Sequence, residues 1–336
     1  MLPELTPELL VAGVMLVALI LYTLTGGADF GGGVWDLLAT GPRRQAQRDL
    51  IDRSIGPIWE ANHVWLILVV VLLFVCFPSV FAAVSTALHI PLALMLVGVV
   101  LRGSAWAFRH YDPLHGEGAI RWGRVFAIAS LVTPVTLGVV LGALSTDIAV
   151  DPATGRVATD FVSQWLAPYP FAVGLFTLAL FAFLAAVYLT NETTDADLRA
   201  DFRARALASA ITVGAAALLA YLVAPPPIRS DLSASPWALP LHLATGAAAI
   251  TAIAGLVTRR DHLARLAAAA QATLIVVGWA ASQYPFLAYP GYTIAGSAAP
   301  RSILVPVLVA LAAGGLVLVP ALAYLYLVFK RRPQPA

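Results

Sequence analysis

Polar residues are sparse along this chain, and they interrupt the apolar ones at nearly regular intervals. Nine apolar runs result, near residues 9–25, 58–77, 80–101, 122–144, 170–189, 207–223, 239–257, 266–283 and 303–328. Each is close to the roughly 20 residues that a helix needs to cross the hydrocarbon core of a bilayer. The predicted fold is all-α: a polytopic membrane protein with nine transmembrane helices in a single integral membrane domain over residues 1–336. The second and third runs meet at Phe77-Pro78-Ser79, which predicts a tight turn between two antiparallel neighbouring helices. The first run has no basic stretch before it and no A-x-A site after it, so it reads as a retained helix and not as a cleaved signal.

Composition narrows the class further. Hydrophobic residues make up 60% of the chain and charged residues 11%, whereas soluble domains carry about a quarter charged residues. A soluble fold could not hide that much apolar surface; lipid accepts it facing outward. The net charge of +2 matters less than where the charges fall. Seventeen of the twenty basic residues lie in alternate segments: Arg43 to Arg53, Arg102 to Arg124, Arg199 to Arg205, Arg259 to Arg265, and the tail from Lys330. Only Arg156, Arg229 and Arg301 fall in the opposite set. Basic loops stay on the cytoplasmic side, so the expected topology has the N-terminus outside and the C-terminus in the cytoplasm. The single cysteine, Cys76, excludes an internal disulfide, and no C-x-x-C-H motif is present for a covalently attached haem. Topology explains the basic loops, and nothing in the sequence marks a nucleic-acid binder.

Unusual residues concentrate around the first basic loop. It is preceded by Thr25-Gly26-Gly27-Ala28-Asp29-Phe30-Gly31-Gly32-Gly33 and followed by Gly56-Pro57-Ile58-Trp59-Glu60-Ala61-Asn62-His63-Val64-Trp65. The glycines predict tight backbone turns after the first helix, with Asp29 as a capping or loop residue. Pro57 suits the first turn of a helix, which puts Glu60 about one turn inside the second span. Glu60 and His63, three apart, share a helix face, and such a pair near a membrane surface could pass protons. The same residues could instead hydrogen-bond to neighbouring helices, with Trp59 and Trp65 as interface anchors. Residue chemistry alone leaves both readings open.

His89 falls near the middle of the third run, with Pro91 beside it. A buried histidine there invites a haem-ligand reading, but bis-histidine ligation needs a second histidine at matching depth. His63 and His242 are expected near opposite faces, and His110, His115 and His262 in loops. His89 therefore reads as an internally hydrogen-bonded or proton-relay residue. In the fourth run Gly138 and Gly142 predict close helix approach. An alternative of another class is a secondary transporter with Asp29, Glu60 and His89 around its substrate path. Transporters, however, carry internal repeats and midplane helix breaks, and neither is visible here.

The stretches GGADFGGG (Gly26 to Gly33) and GPIWEANHVWLI (Gly56 to Ile67) resemble subunit II of the cytochrome bd-type quinol oxidases. So do Arg102 and Arg109 in LRGSAWAFR, the segment TPVTLGVVLG, and YPFLAYP after the eighth run. The resemblance runs essentially from end to end. It implies two four-helix bundles plus one peripheral helix, paired with a subunit I in a complex that oxidises quinol and reduces dioxygen to water. It implies that haem b and haem d type cofactors sit in subunit I and that this chain binds none. It further implies a bacterial cytoplasmic membrane location, with small accessory subunits as possible additions. The family's proton route would fall on Glu60 and its neighbours, with Trp65 and Trp59 near a dioxygen route or interface. Gly26, Gly27, Gly31, Arg102 and Arg109 would be helix-end motif residues. Glu60 stands where many relatives have Asp, and His63 where many have Gln. The short outer loops give no support to a structural quinone.

Overall fold

The computed structural model describes residues 5–55, 59–111, 117–146, 148 and 157–330. Among these, twelve helices and one small hairpin are formed. Eight helices are each long and apolar enough to cross a bilayer: α1 (Pro7–Leu37), α5 (His89–Tyr111), α6 (Glu117–Leu144), α7 (Pro168–Leu189), α8 (Ala196–Val223), α10 (Ala238–Val257), α11 (Asp261–Gln283) and α12 (Arg301–Lys330). The count reaches nine when α3 (Trp59–Cys76) and α4 (Pro78–Ala87), bent by 116° at Phe77, are taken as one broken span. The remaining helices, α2 (Arg44–Ile55) and α9 (Pro226–Ala234), are short and lie between spans.

The chain threads the spans alternately, so one end of the molecule gathers α2 and the arginine-rich connections. The other end gathers α4, α9 and a hairpin of β1 (Phe286–Ala288) and β2 (Tyr292–Thr293). The hairpin is stitched to its surroundings: Ile148 N–H donates to the Tyr289 carbonyl at 2.9 Å, and Ala299 N–H donates to the Cys76 carbonyl at 2.8 Å. Helix α1 is central and packs against α3, α6, α7 and α11. The most enclosed span is α7, whereas α12 is almost wholly exposed, as a lipid-facing helix can be.

Three sequence expectations change. First, α1 does not end before the glycines. It continues as one helix to Leu37 and carries Asp29 inside it. The glycines serve close packing: a Cβ on Gly27 would lie 2.7 Å from the Phe181 ring, one on Gly31 would land on the Phe181 carbonyl, and one on Gly33 on Ser130 Oγ. On Gly26 it would meet the ring of Tyr22, 2.8 Å away. At Gly31 helix α7 thus approaches α1 to backbone contact, and at Gly27 and Gly33 side chains of α7 and α6 press onto it, which outweighs the poor helix propensity of glycine.

Second, the expected tight turn at Phe77-Pro78-Ser79 is a bend into α4, and the next long span starts only at His89. Phe77 leaves the helical region (φ −137°, ψ 61°) and Pro78 starts α4, where its missing N–H costs nothing. His89 is therefore the first residue of α5 and is exposed at the hairpin end, not at mid-depth. Its Nδ1 lies 3.0 Å from the Thr86 carbonyl, and its ring meets Phe161 edge-on at 5.2 Å.

Third, Arg102 is not a loop residue. It lies about 20 Å along α5 at 1.5 Å per residue and is only 2% exposed. The expectation for the fourth run does hold: Cβ atoms on Gly138 and Gly142 would meet the α7 backbone at Gly174 and Pro170, each at 2.7 Å.

Candidate functional site

Asp29 sits in an apolar stretch of α1 with 8% exposure, where a carboxylate needs donors to remain charged. Asn62 of α3 supplies one, its Nδ2 donating to Asp29 Oδ2. Arg102 approaches from α5. One guanidinium nitrogen donates to the Asp29 backbone carbonyl at 2.9 Å, and its Nε donates to Ser130 Oγ of α6 at 3.2 Å. The Ser130 hydroxyl passes the chain on by donating to the Phe126 carbonyl at 2.7 Å. The guanidinium carbon lies 4.7 Å from the Phe30 ring centre and 5.0 Å from that of Phe126.

Burial of a guanidinium costs several kcal/mol. Here the opposite charge of Asp29, hydrogen bonds and two ring faces offset that cost. Arginine suits the position because its planar fork can stack and donate at once. Four helices converge on the cluster: α1, α3, α5 and α6.

The His63 ring lies at its edge, 5.9 Å from the Tyr22 ring and 6.0 Å from that of Phe30. Tyr22, Phe30, Leu137 and Phe181 form an apolar cluster against which Trp65 packs. Of the candidate proton carriers, Asp29 and His63 are thus brought together on facing helices. Glu60 is the second residue of α3, one turn from His63, but the side chains of Glu60 and Trp59 lie outside the described residues. His89, at the opposite end of the molecule, does not join them. Sequence reasoning missed Asn62 as the partner of Asp29, and missed Tyr22 and Ser130 altogether. The available signal was that an Asp inside an apolar run needs a donor on a facing span.

A second charged system covers the arginine-rich end. Asp36 closes α1 with 2% exposure and meets Arg109 at 3.3 Å and Arg48 at 3.5 Å. Arg109 also reaches Asp52 at 3.0 Å, so α1, α2 and α5 are tied together. Arg43 forks onto Asp201 of α8 at 2.9 and 2.5 Å, and Gln47 donates to the same carboxylate at 2.8 Å. Arg203 places one nitrogen 2.9 Å from both oxygens of Asp261. Arg109, a motif residue on sequence grounds, therefore has a structural tie at this end.

The geometry can be set beside known proteins. A family model for the cytochrome bd terminal oxidase subunit II matches residues 7–329. The chain belongs to this family. Among relatives of the cytochrome bd subunit II family, cytochrome bd ubiquinol oxidase subunit 2 of Bacillus subtilis is 29% identical over 185 residues, covering 55% of this chain and 52% of the relative. Cytochrome bd-I ubiquinol oxidase subunit 2 of Escherichia coli is 28% identical over 187 residues, covering 55% and 48%. The chain spans about half the length of the relatives it matches. The fold is that of a chain in the structure of bd oxidase from Geobacillus thermodenitrificans, with a TM-score of 0.81 over 97% of this chain and 99% of that one, at 23% identity.

Proteins of the cytochrome bd oxidase family raise the question of whether this chain could hold a haem. His63 stands among Tyr22 and Phe30 on α3, His89 rests on Phe161, and His242 Nδ1 lies 2.6 Å from the Ala238 carbonyl of its own helix. Among the described residues, these separate surroundings offer no facing pair of imidazoles for a bis-histidine haem, and the side chains of His110 and His115 lie outside the described residues.

Proposed function

We propose that the chain is subunit II of a bd-type terminal quinol oxidase in a bacterial cytoplasmic membrane. In this reading it pairs with a haem-bearing subunit I and supports quinol oxidation and the reduction of dioxygen to water, binding no haem itself. The family match over residues 7–329 carries the proposal. The proposed topology keeps the arginine-rich end in the cytoplasm, as the distribution of basic residues favours. The proposed helix arrangement is two four-helix bundles with α12 peripheral, and the exposure of α12 supports that placement.

Glu60 at the start of α3, with Asp29 and His63 deeper, would form a proton entry from the cytoplasmic side, and Trp59 and Trp65 would border the dioxygen route. Asp29 suits such a role because its carboxylate is held inside the membrane segment by Asn62 and the neighbouring Arg102 charge. An ionisable group is expensive to keep there.

Affinity purification of this chain from its native membrane should bring down a haem-bearing partner at one to one, with quinol oxidase turnover. The chain should carry no stoichiometric haem when that partner is deleted. A haem retained by the lone chain and lost on His63→Ala or His89→Ala would overturn the assignment. Glu60→Gln keeps the size of the side chain but cannot exchange a proton near neutral pH. Assembly and haem content should survive it, while turnover falls several-fold and Glu60→Asp retains most activity. Wild-type turnover of the Gln variant from about pH 6 to 8 would remove Glu60 from the route.

A further inference from the structure

A cavity of about 380 Å³ opens at the hairpin end, between the last turn of α6, the short helix α9 and the exit of α11 into the hairpin. Its volume lies at the small end of the roughly 300–1,000 Å³ usual for ligand sites. Ser145, Ile228, Asp231, Tyr284, Phe286 and Tyr289 contribute to its wall.

Most polar groups of the wall are already engaged. Ser145 Oγ donates to the Leu141 carbonyl at 3.2 Å and accepts from Trp279 Nε1 at 3.1 Å. Gln283 Nε2 donates to the Leu144 carbonyl at 3.1 Å, and Thr146 Oγ1 to the Ala143 carbonyl at 2.8 Å. The Asp231 carboxylate is solvent-exposed and has no hydrogen bond or ion pair among the described residues, and the Tyr284 and Tyr289 hydroxyls make no side-chain hydrogen bond there either. No lysine, arginine or histidine is among the described residues that line the cavity. The nearby basic residue of α9, Arg229, is turned to the end of α8, donating to the Leu222 and Ala224 carbonyls at 2.9 Å each.

Aromatic rings complete the wall. Phe286 and Tyr289 meet edge to face at 5.2 Å, and Tyr284 is 55% exposed. A water-exposed carboxylate and aromatic rings lining one cavity, with no lysine, arginine or histidine among its described lining residues, favour cations, above all ammonium groups, whose charge is attracted to ring faces. The site also sits at membrane-surface depth: α9 joins the end of one span, Val223, to the start of the next, Ala238, and tyrosine favours that interface.

We propose that this cavity binds an alkylammonium group, with Asp231 as its counter-ion and the rings of Tyr284, Phe286 and Tyr289 as its wall. Two sources share that chemistry, the headgroup of an amine-bearing phospholipid and a free small amine.

The test uses the protein purified from its membrane in mild detergent with its copurifying partners. Native mass spectrometry counts phosphatidylethanolamine and phosphatidylglycerol retained from added mixed micelles, and calorimetry follows binding of ethanolamine. Wild type should retain phosphatidylethanolamine several-fold more than Asp231→Asn, while phosphatidylglycerol is retained equally by both. Tyr284→Leu, an exposed substitution that leaves the carboxylate in place, should give an intermediate loss. Retention of the lipid without ethanolamine binding assigns the site to the lipid headgroup. Ethanolamine binding that disappears in Asp231→Asn shows that the free amine suffices. Equal lipid retention and equal calorimetric response in wild type and Asp231→Asn would overturn the proposal.

Discussion

Aspartate and arginine meet in two places in this molecule, once within the membrane span and once at its arginine-rich end, and they are used differently. Inside, Arg102 gives its hydrogen bonds to a backbone carbonyl and a serine, and leaves the Asp29 carboxylate to Asn62. At the surface, Arg43 forks directly onto the Asp201 carboxylate. The interior arrangement has every charge compensated from several sides, because an unpaired charge there has no water to turn to. The surface arrangement has solvent as an alternative partner, so each ion pair stabilises less. Position, more than the residue pair, decides the energy. The interior cluster is also the one with a carboxylate in reach of a proposed proton route.

The largest expected effect follows from breaking the interior cluster on one side. Arg102→Met should lower unfolding stability by about 3–5 kcal/mol, because it strips a buried carboxylate of its opposite charge. Assembled protein, read as yield and thermal midpoint in detergent, should fall accordingly. Asp29→Asn combined with Arg102→Met removes both charges and should recover a substantial part of that loss. If the double variant is no more stable than Arg102→Met alone, the two charges do not compensate each other and the contrast with the surface collapses.

A smaller effect probes how the interior cluster is positioned. Gly31→Ala would push a Cβ onto the Phe181 carbonyl, and overpacking of this kind costs about 1–3 kcal/mol. A Cβ added at Gly13, also on α1, would meet nothing within 4 Å, so Gly13→Ala should leave the thermal midpoint unchanged or raise it slightly. Equal responses at the two sites would mean that α1 does not depend on backbone contact with α7.

These same residues show what could be read from the sequence and what could not. Apolar runs set the spans, and the alternation of arginines matched the gathering of basic residues at one end, because both signals are linear along the chain. The end of α1 was hidden because glycines carry opposite meanings: a turn when the chain bends, a close contact when another helix presses in. Only the position of Phe181 and Ser130 decides between them. Arg102 looked like a loop residue because arginine is rare inside apolar runs, and its compensation comes from two other helices, α1 and α6. His89 was placed too deep because α4 and α5 form one apolar run in sequence, and the bend at Phe77 is a three-dimensional event. Asn62 was visible as a neighbour of Glu60, yet its partner lies 33 residues away.

The smallest expected effect lies at the surface, and it completes the contrast. Arg43 makes the best-formed fork at the arginine-rich end, with two nitrogens on the two oxygens of Asp201. Those hydrogen bonds hold its guanidinium above the ordinary arginine range, so it stays charged at any pH the protein tolerates and its loss cannot be mimicked by titration. Its side chain is nonetheless 41% exposed, and water and salt compete for both partners. Asp201 also keeps the hydrogen bond from Gln47 when Arg43 is gone. Arg43→Gln should therefore leave the thermal midpoint unresolved from wild type at physiological salt, and below it only slightly at low salt. The interior Arg102→Met variant should show no such salt dependence, because counter-ions do not reach it. A loss for Arg43→Gln as large as that for Arg102→Met, insensitive to salt, would mean that the surface lattice carries the same load as the buried cluster, and that burial is not what separates them.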